Sequence, residues 1–189
     1  MRKAIKVIVA GAIFSLVLTV NAQAYIHFLN IAARASYFIN RDANFRDVYG
    51  SGNFSFESKV SLRVLEGLHI AGGVGFLKTE GTIPDTEFEA EANQRMISAG
   101  LEYAFELSYS WEFRLGADVL FVNYEESAFG EKIKNNGLAY RAEGGLLYRL
   151  SHDLYLEIFT AYSFGNDDVN GVSIKLGGFQ AGLGIAFRL

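Results

Sequence analysis

Few side chains in this sequence could act as an imidazole base. The chain has three histidines, His27, His69 and His152, and it has no cysteine. Without cysteine there can be no disulfide scaffold, no CxxC zinc site and no thiol nucleophile. A hydroxyl nucleophile needs a base within hydrogen-bond reach. A catalytic serine or threonine activated by histidine would therefore depend on one of these three residues.

Acidic and glycine-rich segments suggest two further chemistries, and neither is well supported. Asp167, Asp168 and Asn170 could supply oxygen ligands to calcium, but their neighbours are typical of a solvated turn. Gly177-Gly178 precedes an alternating segment and not a helix, so it does not indicate a phosphate-binding loop. The sequence therefore predicts no metal and no cofactor.

The composition narrows the class of protein. The chain has 189 residues, of which 50% are apolar, with 20 glycines and a single proline. The net charge of −4 does not indicate the basic surface that nucleic-acid-binding proteins generally have. After the first segment, no apolar run reaches the ~18 residues that a membrane-spanning helix needs. The apolar residues must therefore be distributed in short pieces.

The first segment has the layout of an export signal. Its first residues are cationic, the stretch from Val7 to Val20 is almost entirely apolar, and it ends in a small-x-small pattern at Ala24. We predict a secretory signal peptide over residues 1–24. Residues 25–189 are then expected to form one domain.

A strict two-residue alternation runs through this domain, and it is the mark of a strand with two different faces. Apolar residues at every second position from Phe54 to Val64 lie opposite serine, glutamate, lysine and arginine. Eight such runs are present, at about 29–38, 54–64, 68–77, 95–105, 111–122, 138–148, 154–164 and 178–189. Three connections are short, and four are longer and polar: 39–53, 78–94, 123–137 and 165–177. The pattern predicts an all-β fold, an eight-stranded antiparallel up-and-down transmembrane β-barrel.

Alternation alone does not decide which face is inside. A soluble lipocalin-like barrel points its apolar side chains inward around a ligand, whereas an outer-membrane barrel points them outward into lipid. The polar face here is rich in glycine and carries charges of both signs, which suits the crowded lumen of a small barrel. We therefore expect an inside-out barrel with these charged residues in its lumen: Arg34, Glu57, Lys59, Arg63, Glu102, Glu112, Arg114, Asp118, Arg141, Glu143, Glu157 and Arg188.

Aromatic residues support the membrane interpretation, because they collect toward both ends of the apolar faces. Tyr37, Phe76 and Phe121 lie toward the long connections, and Phe105 and Trp111 lie toward the short turns. Two aromatic girdles are typical of a barrel that spans a bilayer. Short turns on one side and long loops on the other match periplasmic turns and extracellular loops, so both termini are expected in the periplasm.

The assembled pattern resembles the small bacterial outer-membrane proteins of the OmpA and OmpX transmembrane-domain type. The segment from Asp42 to Gly50 is similar to the first loop of generic outer-membrane β-barrel sequences. The last strand resembles the signal that the outer-membrane assembly machinery reads, although it ends in leucine and not in an aromatic residue. The residues of this signal are Phe179, Leu183, Ile185, Phe187 and Leu189. The resemblance implies a Gram-negative cell envelope and a monomer whose partners are outer-membrane lipids and lipopolysaccharide, the assembly machinery and periplasmic chaperones.

The resemblance does not imply a single activity. A structural or surface-interaction role is the first expectation, because no catalytic set of residues was found. A narrow, porin-like channel or a conduit for small or hydrophobic solutes is an alternative. A lipid A modifying enzyme is a second alternative, but all three histidines are expected at the periplasmic side, away from the outer leaflet. We therefore predict that the protein is not an enzyme and does not bind nucleic acid.

Overall fold

The computed structural model describes residues 28–86, 88–129, 131–169 and 172–189, so the predicted signal peptide and His27 lie outside the described residues. The nine strands and one helix are β1 (Leu29–Asn40), α1 (Ala43–Tyr49), β2 (Asn53–Arg63), β3 (Leu68–Thr82), β4 (Glu89–Glu106), β5 (Trp111–Ala128), β6 (Glu131–Arg149), β7 (Leu154–Val169), β8 (Val172–Leu176) and β9 (Gly178–Arg188). None of the helices in the described part is long and apolar enough to cross a membrane.

The strands form one closed antiparallel barrel. From β1 to β7, each strand pairs with the next strand in the chain. β7 also pairs with β9, and β9 pairs back with β1. The circuit contains eight strands when β8 and β9 are counted as one, as the expected up-and-down topology requires. Closure leaves no unpaired edge around the body of the barrel.

The eighth barrel strand is broken at Gly177. This residue has φ of +88°, a left-handed conformation that favours glycine. On its C-terminal side β9 pairs with both β7 and β1, whereas on its N-terminal side β8 pairs with β7 alone. The β7–β8 hairpin, residues 165–176, therefore leaves the barrel wall as a separate unit.

Three of the four expected long loops are largely strand, which corrects the sequence analysis. Most of 78–94, 123–137 and 165–177 lies in paired strands, and the connections that remain are 83–88, 129–130 and 170–171. Outside the barrel body these strands carry polar residues on both faces, so their hydrophobic alternation fades although their backbone pairing continues. The fourth loop, between β1 and β2, contains α1.

The faces of the barrel are inverted relative to a soluble protein, as the sequence predicts. Apolar side chains on the outer face, such as Phe56, Val74 and Ile97, are exposed, whereas Arg34 and Lys59 on the inner face are buried. Aromatic residues of neighbouring strands contact one another at both levels of the outer face. Tyr37 packs on Phe54 toward the loops, and Trp111 packs on Tyr148 toward the short turns. Both aromatic girdles are therefore present.

Candidate functional site

The strand register brings opposite charges together on the inner face. Arg34 of β1 stands directly opposite Glu57 of β2, and Asp118 of β5 stands directly opposite Arg141 of β6. Arg141 donates from Nε to Asp118 Oδ2 at 2.9 Å, and its Nη2 lies 2.8 Å from Glu57 Oε1. The pleat of the sheet, which sends alternate side chains to one face, is what places all four in the lumen.

Lys59 is at the centre of this set of ion pairs. Its ammonium group contacts Glu102, lies 2.5 Å from Glu143 Oε1 and lies 3.8 Å from Asp118 Oδ2. Glu143 is also shared by Arg34 and Arg141. Each cation is therefore surrounded by several carboxylates, and the pairs merge into a network.

Eleven of the twelve predicted residues belong to one continuous chain of contacts, which we call the lumen charge network. It contains five cations and six carboxylates, and it extends from Arg188 near the short turns to the residues around Lys59 and Arg34. Its members are Arg34, Glu57, Lys59, Glu102, Glu112, Arg114, Asp118, Arg141, Glu143, Glu157 and Arg188. Near-balance of charge matters here, because an unpaired ion in this buried site would cost several kcal/mol.

Arg63 is the predicted residue that the structure does not bring into the network. It is half-buried at the end of β2, beside the short turn, and it forms no ion pair with another residue in the described ranges. The two-residue alternation correctly predicts that Arg63 shares a face with Lys59. It does not show that the residue opposite Arg63 on β3 is His69 and not a carboxylate.

Glycines create the space that the network occupies. Gly116 lies between Glu102 and Glu143 in the register, and a Cβ atom there would be 3.0 Å from Glu143 Cγ and 3.3 Å from Glu102 Cγ. Without a side chain at Gly116, the two carboxylates can approach the Lys59 ammonium from both sides. The glycines on the inner face are thus part of the site.

Two buried aromatic rings belong to the lumen as well, and the sequence analysis missed them. The Arg34 guanidinium lies 4.7 Å from the centre of the Phe159 ring, and the Arg188 guanidinium lies 3.9 Å from that of Tyr155. Cation–π contacts of this kind favour a desolvated arginine. Both aromatic residues lie at polar-face positions of β7, which is the signal that could have identified them.

The lumen also contains an apolar layer toward the loops, so the charged residues are not its only core. One cluster is formed by Phe38 and Leu77 of the barrel wall with Phe45 and Tyr49 of α1. A second cluster joins Leu120, Val122, Tyr124, Ala139 and Leu176. The sequence analysis placed charged residues in the lumen and did not predict this apolar layer, to which α1 and the β7–β8 hairpin contribute buried residues.

Asp42 holds these two inward elements together. Its Oδ1 accepts hydrogen bonds from the backbone N–H groups of Asn44 and Phe45, which caps the N-terminus of α1. Its Oδ2 accepts the backbone N–H of Lys175 in β8 at 2.9 Å. One carboxylate therefore fixes both the helix and the hairpin that close the loop end of the lumen.

Asp167, considered above as a calcium ligand, is occupied by hydrogen bonds. Tyr124 Oη and Asn135 Nδ2 donate to its Oδ2 at 3.1 Å and 2.9 Å. No group of three or more potential metal ligands was found in the described part of the chain. Asp167 instead ties the β7–β8 hairpin to β5 and β6.

The two described histidines lie at the short-turn end. His69 is buried on the inner face at the start of β3, where its Nδ1 lies 3.2 Å from the carbonyl oxygen of Gly67. His152 is exposed in the turn between β6 and β7. The residues of the predicted assembly signal, Phe179, Leu183, Ile185, Phe187 and Leu189, are all exposed on the outer face.

At the loop end, four strands continue beyond the aromatic girdle as an extended sheet. β3, β4, β5 and β6 stay paired with their neighbours up to residues 82, 89, 128 and 131. β6 pairs with β7 only from Ala139 onward, so its 131–138 segment has a strand partner on one side only within the described ranges. We call residues 78–82, 89–95, 122–128 and 131–138 the sheet extension.

Comparison with known proteins supports the fold. No family model matches the chain, and no curated protein sequence matches it. Neisserial surface protein A superposes with a TM-score of 0.60 at 15% identity, covering 87% of this chain and 98% of that one. OprG from Pseudomonas aeruginosa superposes with a TM-score of 0.66 at 9% identity, covering 85% of this chain and 95% of that one. The N-terminal β-barrel domain of OprF from the same organism superposes with a TM-score of 0.57 at 12% identity, covering 85% of this chain and 97% of that one. The chain therefore has the fold of the small eight-stranded outer-membrane β-barrels.

Proposed function

We propose that the protein is an integral β-barrel of a bacterial outer membrane, with a closed lumen and a surface-interaction role carried by the sheet extension. The observation that carries the interaction role is the one-sided pairing of residues 131–138 in β6. Free backbone N–H and C=O groups along a strand edge can pair with an extended segment of a partner. With the sheet extension on the extracellular side, the short turns and both ends of the chain would face the periplasm.

The chemistry of this edge favours selective pairing over indiscriminate aggregation. Lys132 and Lys134 are exposed, and both contact Glu125 of the neighbouring strand, at 3.2 Å and 2.7 Å. Lysines on an exposed strand discourage association with arbitrary strands. A partner whose extended segment carries acidic side chains would complement them.

The outer face supports a lipid environment. Above the loop-side girdle, Lys78 and Arg95 are exposed near Phe76 and Phe121. Cations directly above an aromatic girdle suit the phosphate groups of lipopolysaccharide. We propose this lipid, together with the assembly machinery and periplasmic chaperones, as partners of a monomeric barrel.

The inner face supports a barrel without a continuous path for solutes. The lumen charge network fills one level, and the two apolar clusters with α1 fill the next. Eight strands leave room for little beyond their own side chains. The channel alternative thus has less support than the surface-interaction role. The positions of His69 and His152, at the end away from the outer leaflet, favour a non-enzymatic role.

Shortening the β5–β6 hairpin tests the interaction role. Val122 stands opposite Gly137, so residues 123–136 can be replaced by an Asn-Gly turn, which removes most of the one-sided segment 131–138. Cells that produce the shortened protein should adhere less to each other and to immobilised matrix proteins than cells that produce the full chain. Replacement of the 83–88 turn by a similar short turn is the matched control and should retain adhesion. Equal adhesion of all three strains would refute the role assigned to the β6 edge.

A further inference from the structure

A second candidate site lies at the opposite end of the barrel from the sheet extension. A cavity of ≈500 Å³ opens between the short turns and is lined by residues from the ends of seven strands. We call it the vestibule. Its volume falls within the range of pockets that hold small organic ligands, about 300–1,000 Å³. Lumen side chains, including Arg114 and Glu112, form its inner wall.

Arginine dominates the charge of the vestibule. Four guanidinium groups line it, those of Arg63, Arg114, Arg149 and Arg188. Its carboxylates are Glu112 on the inner wall and Glu66 and Glu106, which are exposed at the rim. The buried part of the cavity therefore contains more positive than negative charge.

A single carboxylate serves two of these arginines. Arg114 Nε donates to Glu112 Oε1 at 2.7 Å, and Arg188 Nη2 donates to the same oxygen at 2.5 Å. Arg114 reaches one further carboxylate, Glu102, at 3.6 Å. The Nε of Arg188 is buried and has no hydrogen-bond partner. Arg188 therefore keeps one N–H donor without a partner.

The other two arginines have no carboxylate partner among the described residues. Arg149 is oriented by aromatic residues: its Nε donates to Tyr155 Oη at 2.9 Å, and its guanidinium lies 4.8 Å from the centre of the Tyr109 ring. Arg63, on β2, makes no ion pair with a described residue and is half-buried. Guanidinium groups without a counter-ion are suited to bidentate binding of an oxyanion.

We propose that the vestibule binds a small organic anion through a carboxylate or phosphate group held by Arg63 and Arg149. Tyr103 and Phe105 also border the cavity, but their side chains lie on the exposed outer face, so the proposed contacts are those of the two arginines. In the proposed orientation the site faces the periplasm. It is independent of the surface-interaction role, because it lies at the other end of the molecule.

The site can be tested on the purified barrel in detergent micelles by chemical-shift titration of isotopically labelled arginine side chains. The probes are N-acetyl-dialanine with a free carboxylate, the same peptide with a C-terminal amide, and inorganic phosphate. The carboxylate peptide should bind and shift the arginine signals, whereas the amide should not. If inorganic phosphate binds and the carboxylate peptide does not, the anionic group that the vestibule recognises is a phosphate. Absence of binding by both anions at millimolar concentration, or equal binding of the amide, would overturn the proposal.

Matched variants localise the binding. Arg63→Gln should weaken the anion about tenfold or more, since a hydrogen bond to a charged group contributes roughly 1.5–3 kcal/mol. Arg149→Gln is a second variant with the same expected direction. Lys175→Gln removes an exposed cation at the loop end of the barrel and should leave binding unchanged. If Lys175→Gln weakens binding as much as Arg63→Gln does, the anion is attracted by general charge and the vestibule is not a site.

Discussion

Arg34 and Glu157 form a two-pronged ion pair across the inside of the barrel, with Nε donating to Oε2 at 2.8 Å and Nη2 donating to Oε1 at 2.5 Å. They lie on β1 and β7, which are separated by β9. The residue of β9 between them is Gly184, which stands opposite Arg34 on one side and Glu157 on the other. A charged residue, a glycine and a residue of opposite charge thus occupy one row. The ion pair crosses β9 at Gly184, where the strand has no side chain.

This row makes Gly184 a sensitive position. A Cβ atom there would be 3.0 Å from Arg34 Cγ and 3.1 Å from Glu157 Oε2, so the methyl groups in Gly184→Val would occupy the space of the ion pair. We expect a loss of about 3 kcal/mol in the free energy of unfolding, since disrupting a buried pair costs roughly that much. Urea titration in detergent or lipid, followed by fluorescence of Trp111, measures the loss.

Gly144 offers the matched control. It lies on the outer face of β6, and a Cβ atom there would meet only ordinary contacts, the nearest being Leu115 Cδ2 at 3.6 Å. Gly144→Val should leave stability unchanged or raise it slightly, because β-branched residues favour strands. Equal destabilisation by both substitutions would show that loss of glycine itself, and not the ion pair, is responsible.

Lys59 should be the residue on which the lumen charge network depends most. Lys59→Gln leaves Glu102 and Glu143 without the ammonium group they share, and we expect a loss of about 3–5 kcal/mol. Lys132→Gln breaks an exposed pair with Glu125 and should change stability little, because solvent screens such a pair. The same urea titration compares them. A loss below that of Lys132→Gln would contradict a central role for Lys59.

Alkaline pH should loosen α1 from the barrel. Burial, and next the nearby Glu126 carboxylate, raise the pKa of Tyr49 from 10.0 to about 12. A group whose pKa is higher in the folded state contributes full stability below its unfolded value and loses it as pH rises through the folded one. The contribution of Tyr49 should therefore be intact below about pH 10 and lost as pH approaches 12. Phenolate absorbance should show a titration step near pH 12 that Tyr49→Phe removes; persistence of the step in that variant would refute the assignment.

The purified protein should form no steady channel. Ion pairs around Lys59 and apolar side chains beneath α1 occupy successive levels of the lumen. In planar bilayers we expect a flat baseline at neutral pH. Regular conductance steps that disappear in a sample without the protein would instead favour the narrow-channel alternative.

The sequence predicts the barrel well because the relevant signal is local. Alternation at residues such as Phe54 to Val64 sets both the strand and its two faces, and the inner-face charges follow from parity alone. The sequence analysis placed residues 78–94 in a loop, yet Ala90 and Ala92 of β4 are buried in the apolar cluster beneath α1, so this extension depends on a tertiary contact. The α1 helix was missed since its stability depends on a tertiary contact, the burial of Phe45 and Tyr49 in the lumen. Arg63 shows the limit within the site: periodicity assigns its face, but it does not show that the residue opposite it on β3 is His69 and not a carboxylate.

The central claim is an outer-membrane barrel with the sheet extension outside the cell and the short turns in the periplasm. The chain has no native cysteine, so a single introduced cysteine can be labelled without background from other thiols of the protein. In intact cells, a maleimide that cannot cross the outer membrane should label Lys132→Cys in the sheet extension. It should label Tyr109→Cys, in an exposed short turn, only after the outer membrane is permeabilised. Labelling of Tyr109→Cys alone in intact cells, or recovery of the protein in the soluble fraction, would contradict the account.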